Sequence, residues 1–325
     1  MHFAIIGAGG IGCYYGVRLL EAGHSVDFVA RDSHLQVLQE KGLTLKHDNG
    51  NYQEKVSALS LETLLSRCKI SDYDGLIVTL KATQTTAVAQ QLKGWCSSSG
   101  QNGLPWVLSL QNGVENESIL KSLSGLPVLG GIARRIGAHI IEPGVVEAVG
   151  PAEVILGGWP NHNESKLPKA ISDELATVFN EAQIPTEVTD DIRLELWRKL
   201  VINNGVNALS ALVKEKTGVI TAHPQLAKVI RGLMDEAARA AKSESIFLSE
   251  KDVDKMFELI LTFDSIKPSM FIDREKGRPL ELDEICGVVM RGCEKQGVDA
   301  PYTRTVSSLL GFSLEQDGKW KNGLT

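Results

Sequence analysis

The sequence predicts an α/β chain in two unlike parts: a parallel sheet with helices on both faces over residues 1–189, then an all-helical part over 190–325. Residues 2–30 read as strand, glycine turn, helix, strand, the opening of a βαβ unit. Strand and helix patterns alternate up to about residue 190, where strand patterns stop. Glycine is uneven as well: 21 of the 31 glycines fall in residues 1–189, where tight turns and close backbone approaches require it. A length of 325 residues suits two domains of roughly 100–200 residues each.

The elements follow in order. Residues 2–6 form a buried strand, 12–22 a helix that stops at Gly23, and Ser25–Ala30 a second strand. Further strands are expected at 76–80, 105–110, 127–130, 145–149, 153–157 and 184–188. Helices are expected near 33–40, 83–93, 115–123 and 167–182. Beyond the junction near 189 the helical patterns are 191–213, 224–246, 250–264, 279–296 and 302–315. Pro224 after His223 suits a first helical turn, Ser249 with Asp252 resembles a capping box, and Gly297 follows a helix end. The polar tail Gln316–Thr325 is expected to fray.

Composition excludes several classes of function. The net charge is −6, from 34 basic and 40 acidic residues, and neither half has the basic excess that nucleic-acid binding needs. No apolar run approaches the roughly 18 residues of a membrane span. Met1-His2-Phe3 leads into an apolar run that breaks at Gly7, unlike a signal peptide. The five cysteines are odd in number and form no CxxC pair. They read as buried small residues in a reducing cytoplasm, not as a disulfide framework or a zinc site. No metal-ligand cluster appears.

Gly7-Ala8-Gly9-Gly10-Ile11-Gly12 matches GxGxxG directly after a strand and at the start of a helix. One glycine makes the tight turn, the next admits pyrophosphate to the backbone, and the third lets helix pack on strand. An acidic residue about 20 positions on would select the ribose 2′-hydroxyl of NAD. Arg31 stands 19 residues after Gly12 instead, where a guanidinium pairs with the 2′-phosphate of NADP(H). The alternative is a surface arginine at the start of the next helix, and Asp32 is adjacent. Lys81 and Asn112 each follow a strand, on the side of an open α/β sheet where ligands bind; the alternative for both is a plain loop residue.

The helix 191–213 is largely apolar but carries Lys199, Asn203 and Asn207 at i, i+4 and i+8, on one face. Polar groups amid apolar surface need partners, and a small polar substrate is one. A desolvated lysine has a lowered pKa suited to general acid work. The alternatives are a solvated stripe, or asparagines bonded to a neighbouring helix. Glu281 reads as just inside a helix start, where the helix dipole alone favours it. Ser269 after Pro268 reads as a turn residue.

Together these residues resemble the ketopantoate reductase family, from Gly7 to about Thr305. The most specific pieces are Glu195-Leu196-Trp197-Arg198-Lys199-Leu200 with Asn203 and Asn207, then Ser269-Met270 and Glu281. Val78-Thr79-Leu80-Lys81-Ala82 and Asn112-Gly113 are similar to the family's cofactor loops. The resemblance implies a Rossmann-type NADP-binding domain (1–189) joined to an all-helical substrate domain (190–325), as in the 6-phosphogluconate dehydrogenase-like group. It implies NADPH-dependent reduction of 2-dehydropantoate to (R)-pantoate, in the route to pantothenate and coenzyme A. Lys199 would be the general acid, with Glu281 near it and the cofactor. Asn203, Asn207 and Ser269 would hold substrate, Asn112 would touch both cofactor and substrate, and Arg31 the 2′-phosphate. The stretch Gly130–Gly144 departs most from the family; within it Ala138 would be the small residue near the nicotinamide. The partner expected is a small 2-oxo acid, with no nucleic acid and no membrane; a homodimer stays open. A reductase of another 2-oxo acid and a non-catalytic NADP(H)-sensing protein are the competing readings.

Overall fold

The structure, a computed structural model, describes residues 1–48, 50–97, 104–262 and 266–318. It divides into two units, Met1–Gln111 with Glu115–Arg193, and Asn112–Val114 with Leu194–Thr325.

The first unit opens with β1 (His2–Ile6), α1 (Gly10–Glu21), β2 (Ser25–Val29), α2 (Asp32–Lys41), β3 (Leu43–His47), β4 (Gly50–Glu54) and β5 (Ser57–Leu59). It continues through α3 (Leu61–Arg67), β6 (Gly75–Val78), α4 (Thr85–Ser97), β7 (Trp106–Ser109) and α5 (Asn116–Ser124). It closes with β8 (Val128–Arg134), β9 (Gly137–Glu142), β10 (Val145–Val149), β11 (Glu153–Gly158), α6 (Lys169–Glu181) and β12 (Thr186–Val188).

Among the described residues, eight strands make one sheet in the order β12-β11-β8-β7-β6-β1-β2-β5. All its pairs are parallel except β11 with β8. β6 and β7 are buried at every position, which is why they read as continuous apolar runs. From β1 the chain moves outward to β2 and β5, then returns to the other side of β1 as β6. The order therefore reverses between β1 and β6, the switch point at which open α/β sheets bind ligands.

A second sheet, β4-β3-β10-β9, stands apart from the parallel one, with no counterpart as a sheet in the apolar patterns of the sequence. The expected strand 145–149 belongs to it and not to the parallel sheet. Its burial alternates, as suits a sheet with one solvated face. β4 (Gly-Asn-Tyr-Gln-Glu) has four exposed positions of five, so no apolar periodicity announces it.

Among the described residues the second unit is built of helices: α7 (Ile192–Val213), α8 (Thr217–Ala222), α9 (Pro224–Ala241), α10 (Glu250–Leu261), α11 (Ser269–Glu275), α12 (Val288–Glu294) and α13 (Pro301–Gln316). Three end signals hold. Pro224 is in the first turn of α9 and His223 caps it, accepting from Leu226 N. Ser249 and Asp252 cap α10 reciprocally, and Gly297 takes φ +69°. Ser269 is not a turn residue; it begins α11 after Pro268. The helix expected at 279–296 starts later, and a π-helical segment (Asp283–Gly287) precedes α12. Glu281 therefore lies before the helix, not in its first turn. Positions 263–264 of the helix expected at 250–264, and the tail from 319, lie outside the described residues.

Buried polar groups knit these helices. Glu236 on α9, 2% exposed, accepts from the backbone N–H groups of Tyr302 (2.8 Å) and Thr303 (2.7 Å) in the first turn of α13. Arg274 on α11, 3% exposed, donates to the Ala211 carbonyl at the end of α7 (2.6 Å) and to Asp317 beyond α13 (3.1 Å). Cys13, Cys286 and Cys293 are buried as expected, and burial pushes the Cys286 thiol up to about 12. Cys68 and Cys96 are only half-buried, a correction. Among the described residues no helix is long and apolar enough to cross a membrane.

Candidate active site

The glycine loop stands at the switch point. Gly7 ends β1 at φ +111°, and a Cβ there would meet Leu80 N at 2.8 Å. Its N–H and that of Ala8 donate to the Val29 carbonyl (3.2 and 2.8 Å). Its own carbonyl accepts from Gly9 N and from Thr79 Oγ1, each at 2.7 Å. A Cβ on Gly12 would overlap the Gly7 carbonyl and stand 2.8 Å from Ile5 Cγ2, so this glycine lets α1 settle on β1. Gly16, one turn on, does the same against the Phe28 ring, a need its i+4 spacing from Gly12 could have signalled. Gly9 differs. A Cβ there would find only Gly7 O, at 4.0 Å. That open backbone caps α1 with no side-chain acceptor, an arrangement that fits a pyrophosphate. Gly10 and Ile11 open the helix, and Gly10 is crowded by the backbone of Ala138 and His139 on β9. Ala138 thus lies beside the glycine loop, half-buried and paired with Ala148.

Arg31 is the N-cap of α2, two residues past the Val29 carbonyl that anchors the glycine loop. Its side chain is 77% exposed, with Nε 3.6 Å from Asp32 Oδ2, so a phosphate can reach it. His34, on the same helix, faces inward. Its Nδ1 accepts the Gly144 N–H at 3.0 Å, which requires an unprotonated Nδ1. Burial holds this imidazole below its ordinary pKa. The unfolded chain takes up that proton at about pH 6.5 and the folded chain only lower. The contribution of neutral His34 is thus complete above about pH 6.5 and is lost as pH falls through the folded value. The unfolding midpoint is expected to drop more between about pH 7.5 and 5.5 than that of His34→Asn, whose Oδ1 can take the same Gly144 bond. Equal drops in thermal scans would contradict this.

Lys81 is half-buried and precedes a short turn of helix, Ala82–Gln84, after β6. Beside it lies a residue that the sequence reading missed. Gln111, 3% exposed, donates to the Leu80 carbonyl (3.1 Å) and to Thr85 Oγ1 (2.8 Å). Thr85 in turn donates to Asn116 Oδ1 (2.8 Å). Its place next to Asn112 was the available signal.

In the second unit, α7 carries Lys199 and Asn203 half-buried and Asn207 buried at 3% exposure. The asparagine that reaches other helices is Asn204, off that stripe. Its Nδ2 donates to the Leu233 carbonyl (2.8 Å) and Thr303 Oγ1 (3.0 Å). Glu281 is 4% exposed and accepts from Asn112 Nδ2 at 3.2 Å, although 169 positions separate them. Two of the singled-out residues are thereby brought together. Ser269 is exposed at the first residue of α11.

The family described as ketopantoate reductase PanE/ApbA matches residues 3–161, and its C-terminal counterpart matches residues 191–313. The 2-dehydropantoate 2-reductase of Archaeoglobus fulgidus is 31% identical over 309 residues, covering 94% of this chain and 95% of its own. The crystal structure of a PanE/ApbA family ketopantoate reductase from Ralstonia eutropha JMP134 has a TM-score of 0.83 at 30% identity, with 98% and 99% of the two chains covered. A D-mandelate dehydrogenase solved with NADH and anilino(oxo)acetate shares the fold, with a TM-score of 0.85 at 24% identity and the same coverage. Fold, glycine loop and near full-length likeness agree: the chain belongs to the ketopantoate reductase PanE/ApbA family of oxidoreductases.

Proposed function

We propose that the protein reduces ketopantoate to (R)-pantoate with NADPH, as a step toward pantothenate. The observation that carries this reading is the polar stripe Lys199–Asn203–Asn207 at i, i+4 and i+8 on α7, in a chain of this family. The open backbone at Gly9 and the first turn of α1 would hold the pyrophosphate, Arg31 the 2′-phosphate, and Lys81, Asn112 and Ala138 the nicotinamide end. Bound NADPH supplies the hydride for the 2-carbon. Lys199 places its ammonium at the ketone oxygen, stabilises the charge that builds there, and donates the proton. Glu281, buried and bonded to Asn112, would stand near Lys199 and the cofactor, as the likeness to the family implies. Asn203, Asn207 and Ser269 orient the substrate's hydroxyl and carboxylate.

The fold shared with D-mandelate dehydrogenase admits a second reading, reduction of another 2-oxo acid. Initial rates with a panel of 2-oxo acids, each with NADPH and NADH, separate the two. The highest kcat/KM is expected for ketopantoate with NADPH; a higher value for another oxo acid would select the second reading. Arg31→Ala is expected to weaken NADPH binding about tenfold to a hundredfold, the scale of one charge-assisted bond, and to leave NADH binding unchanged. Equal losses for both cofactors in fluorescence titrations would remove Arg31 from the 2′-phosphate.

A further inference from the structure

We infer that Gln111 is a positioning residue for the dinucleotide, an inference that rests on the cofactor reading above. The amide is buried where β7 ends, and its hydrogen bonds run to the turn after β6 and to the first residue of α4. Thr85 passes the link to Asn116, the first residue of α5. The side chains of Gln111 and Thr85 thus tie together the exits of two adjacent central strands and the starts of the two helices that follow them. Leu80, whose carbonyl it holds, also packs against Gly7 and precedes Lys81. The next residue in the chain is Asn112. Of the three residues proposed to meet the nicotinamide end, Lys81 thus follows the Leu80 carbonyl that Gln111 holds, and Asn112 follows Gln111 itself.

The direction of the amide is determined by chemistry. The Leu80 carbonyl only accepts, so the atom facing it is the nitrogen. The amide oxygen is then left buried without a hydrogen-bond partner among the described residues. A leucine or methionine would fill the same volume without that desolvated oxygen. What an apolar side chain cannot do is hold the two turns in one register before ligand arrives. Such preorganisation lowers the ordering that binding must impose, and it appears in affinity more than in fold stability.

The test is calorimetric titration of NADP⁺ into the full chain and two variants, with thermal unfolding of each unliganded protein. Gln111→Met is expected to raise the Kd about tenfold, equivalent to ~1.4 kcal/mol, with little change in unfolding midpoint. Gln111→Glu has a donor for Leu80 only while its carboxyl is protonated. Its Kd, taken relative to wild type at each pH, should fall toward one as pH is lowered. Wild-type affinity in Gln111→Met overturns the inference and leaves the cofactor reading standing. If Gln111→Met does not fold, a pH-independent ratio for Gln111→Glu overturns it instead. Failure of the wild type to bind either NADP⁺ or NAD⁺ overturns the cofactor reading and the inference with it.

Discussion

Lys199→Ala is expected to lower kcat for ketopantoate by about 10²–10⁴-fold, the usual contribution of a positioned general acid, with NADP⁺ affinity unchanged. Hydride addition to a ketone leaves an alkoxide, and water donates a proton to it poorly at neutral pH. An ammonium held at that oxygen stabilises the charge and then neutralises it. The backbone of α7 fixes where Lys199 projects, and Leu196, Trp197, Leu200 and Val201 on the same helix are buried and anchor it. Because the lysine itself is only half-buried, its truncation leaves no large cavity, and the unfolding midpoint should move little. Lys199→Arg keeps the charge but not the acid, because guanidinium does not give up its proton in this range. It should therefore restore substrate binding without restoring turnover. Near-wild-type kcat in Lys199→Ala, measured at saturating cofactor, would assign the proton to another group.

Glu236→Ala is expected to destabilise the helical unit by about 3 kcal/mol, the sum of two hydrogen bonds to a charged acceptor at the low end of their range. Pro301 has no N–H, so the first-turn donors of α13 that need an acceptor outside the helix are those of Tyr302 and Thr303, and Glu236 takes both. Its negative charge also meets the positive end of the helix dipole. Alanine leaves both N–H groups without that acceptor, the buried one of Thr303 and the part-buried one of Tyr302. Glu236→Gln retains one acceptor oxygen and should cost about half as much. The fall in unfolding midpoint for Glu236→Ala should be roughly 10 °C. A change within experimental error would show that water satisfies those donors as well as the carboxylate does.

Where a physical need leaves a pattern, the chain is legible. The strand, glycine turn and helix at 2–21 are specified by backbone crowding, since a Cβ at Gly7 or Gly12 collides with neighbouring atoms. The caps of α9 and α10 were readable from His223-Pro224 and from Ser249 with Asp252, because those side chains satisfy first-turn donors locally. The second sheet was not readable: β3 pairs with β10 across about a hundred positions, and β4 shows no apolar face. α8 and α11 are six and seven residues long, too short for a 3.6-residue period to stand out.

The candidate site divides along the same line. The i, i+4 spacing on α7 placed Lys199 and Asn203 on one face from sequence alone. Nothing local told Asn204, bonded across helices, from Asn207, one turn away. The Asn112–Glu281 bond joins residues 169 positions apart, and no periodicity reports such a pair. Gln111 escaped notice because its role is to hold turns made by distant segments.

The proposed reaction is hydride transfer from NADPH to the 2-carbon of ketopantoate. Incubating the protein with ketopantoate and NADPH carrying deuterium on the transferable face, then reading the product by mass spectrometry, addresses that step directly. The predicted result is pantoate with one deuterium at its 2-carbon, formed in step with NADPH oxidation. Recovery of unchanged ketopantoate, or of pantoate without the label when either face of the cofactor is deuterated, would contradict it.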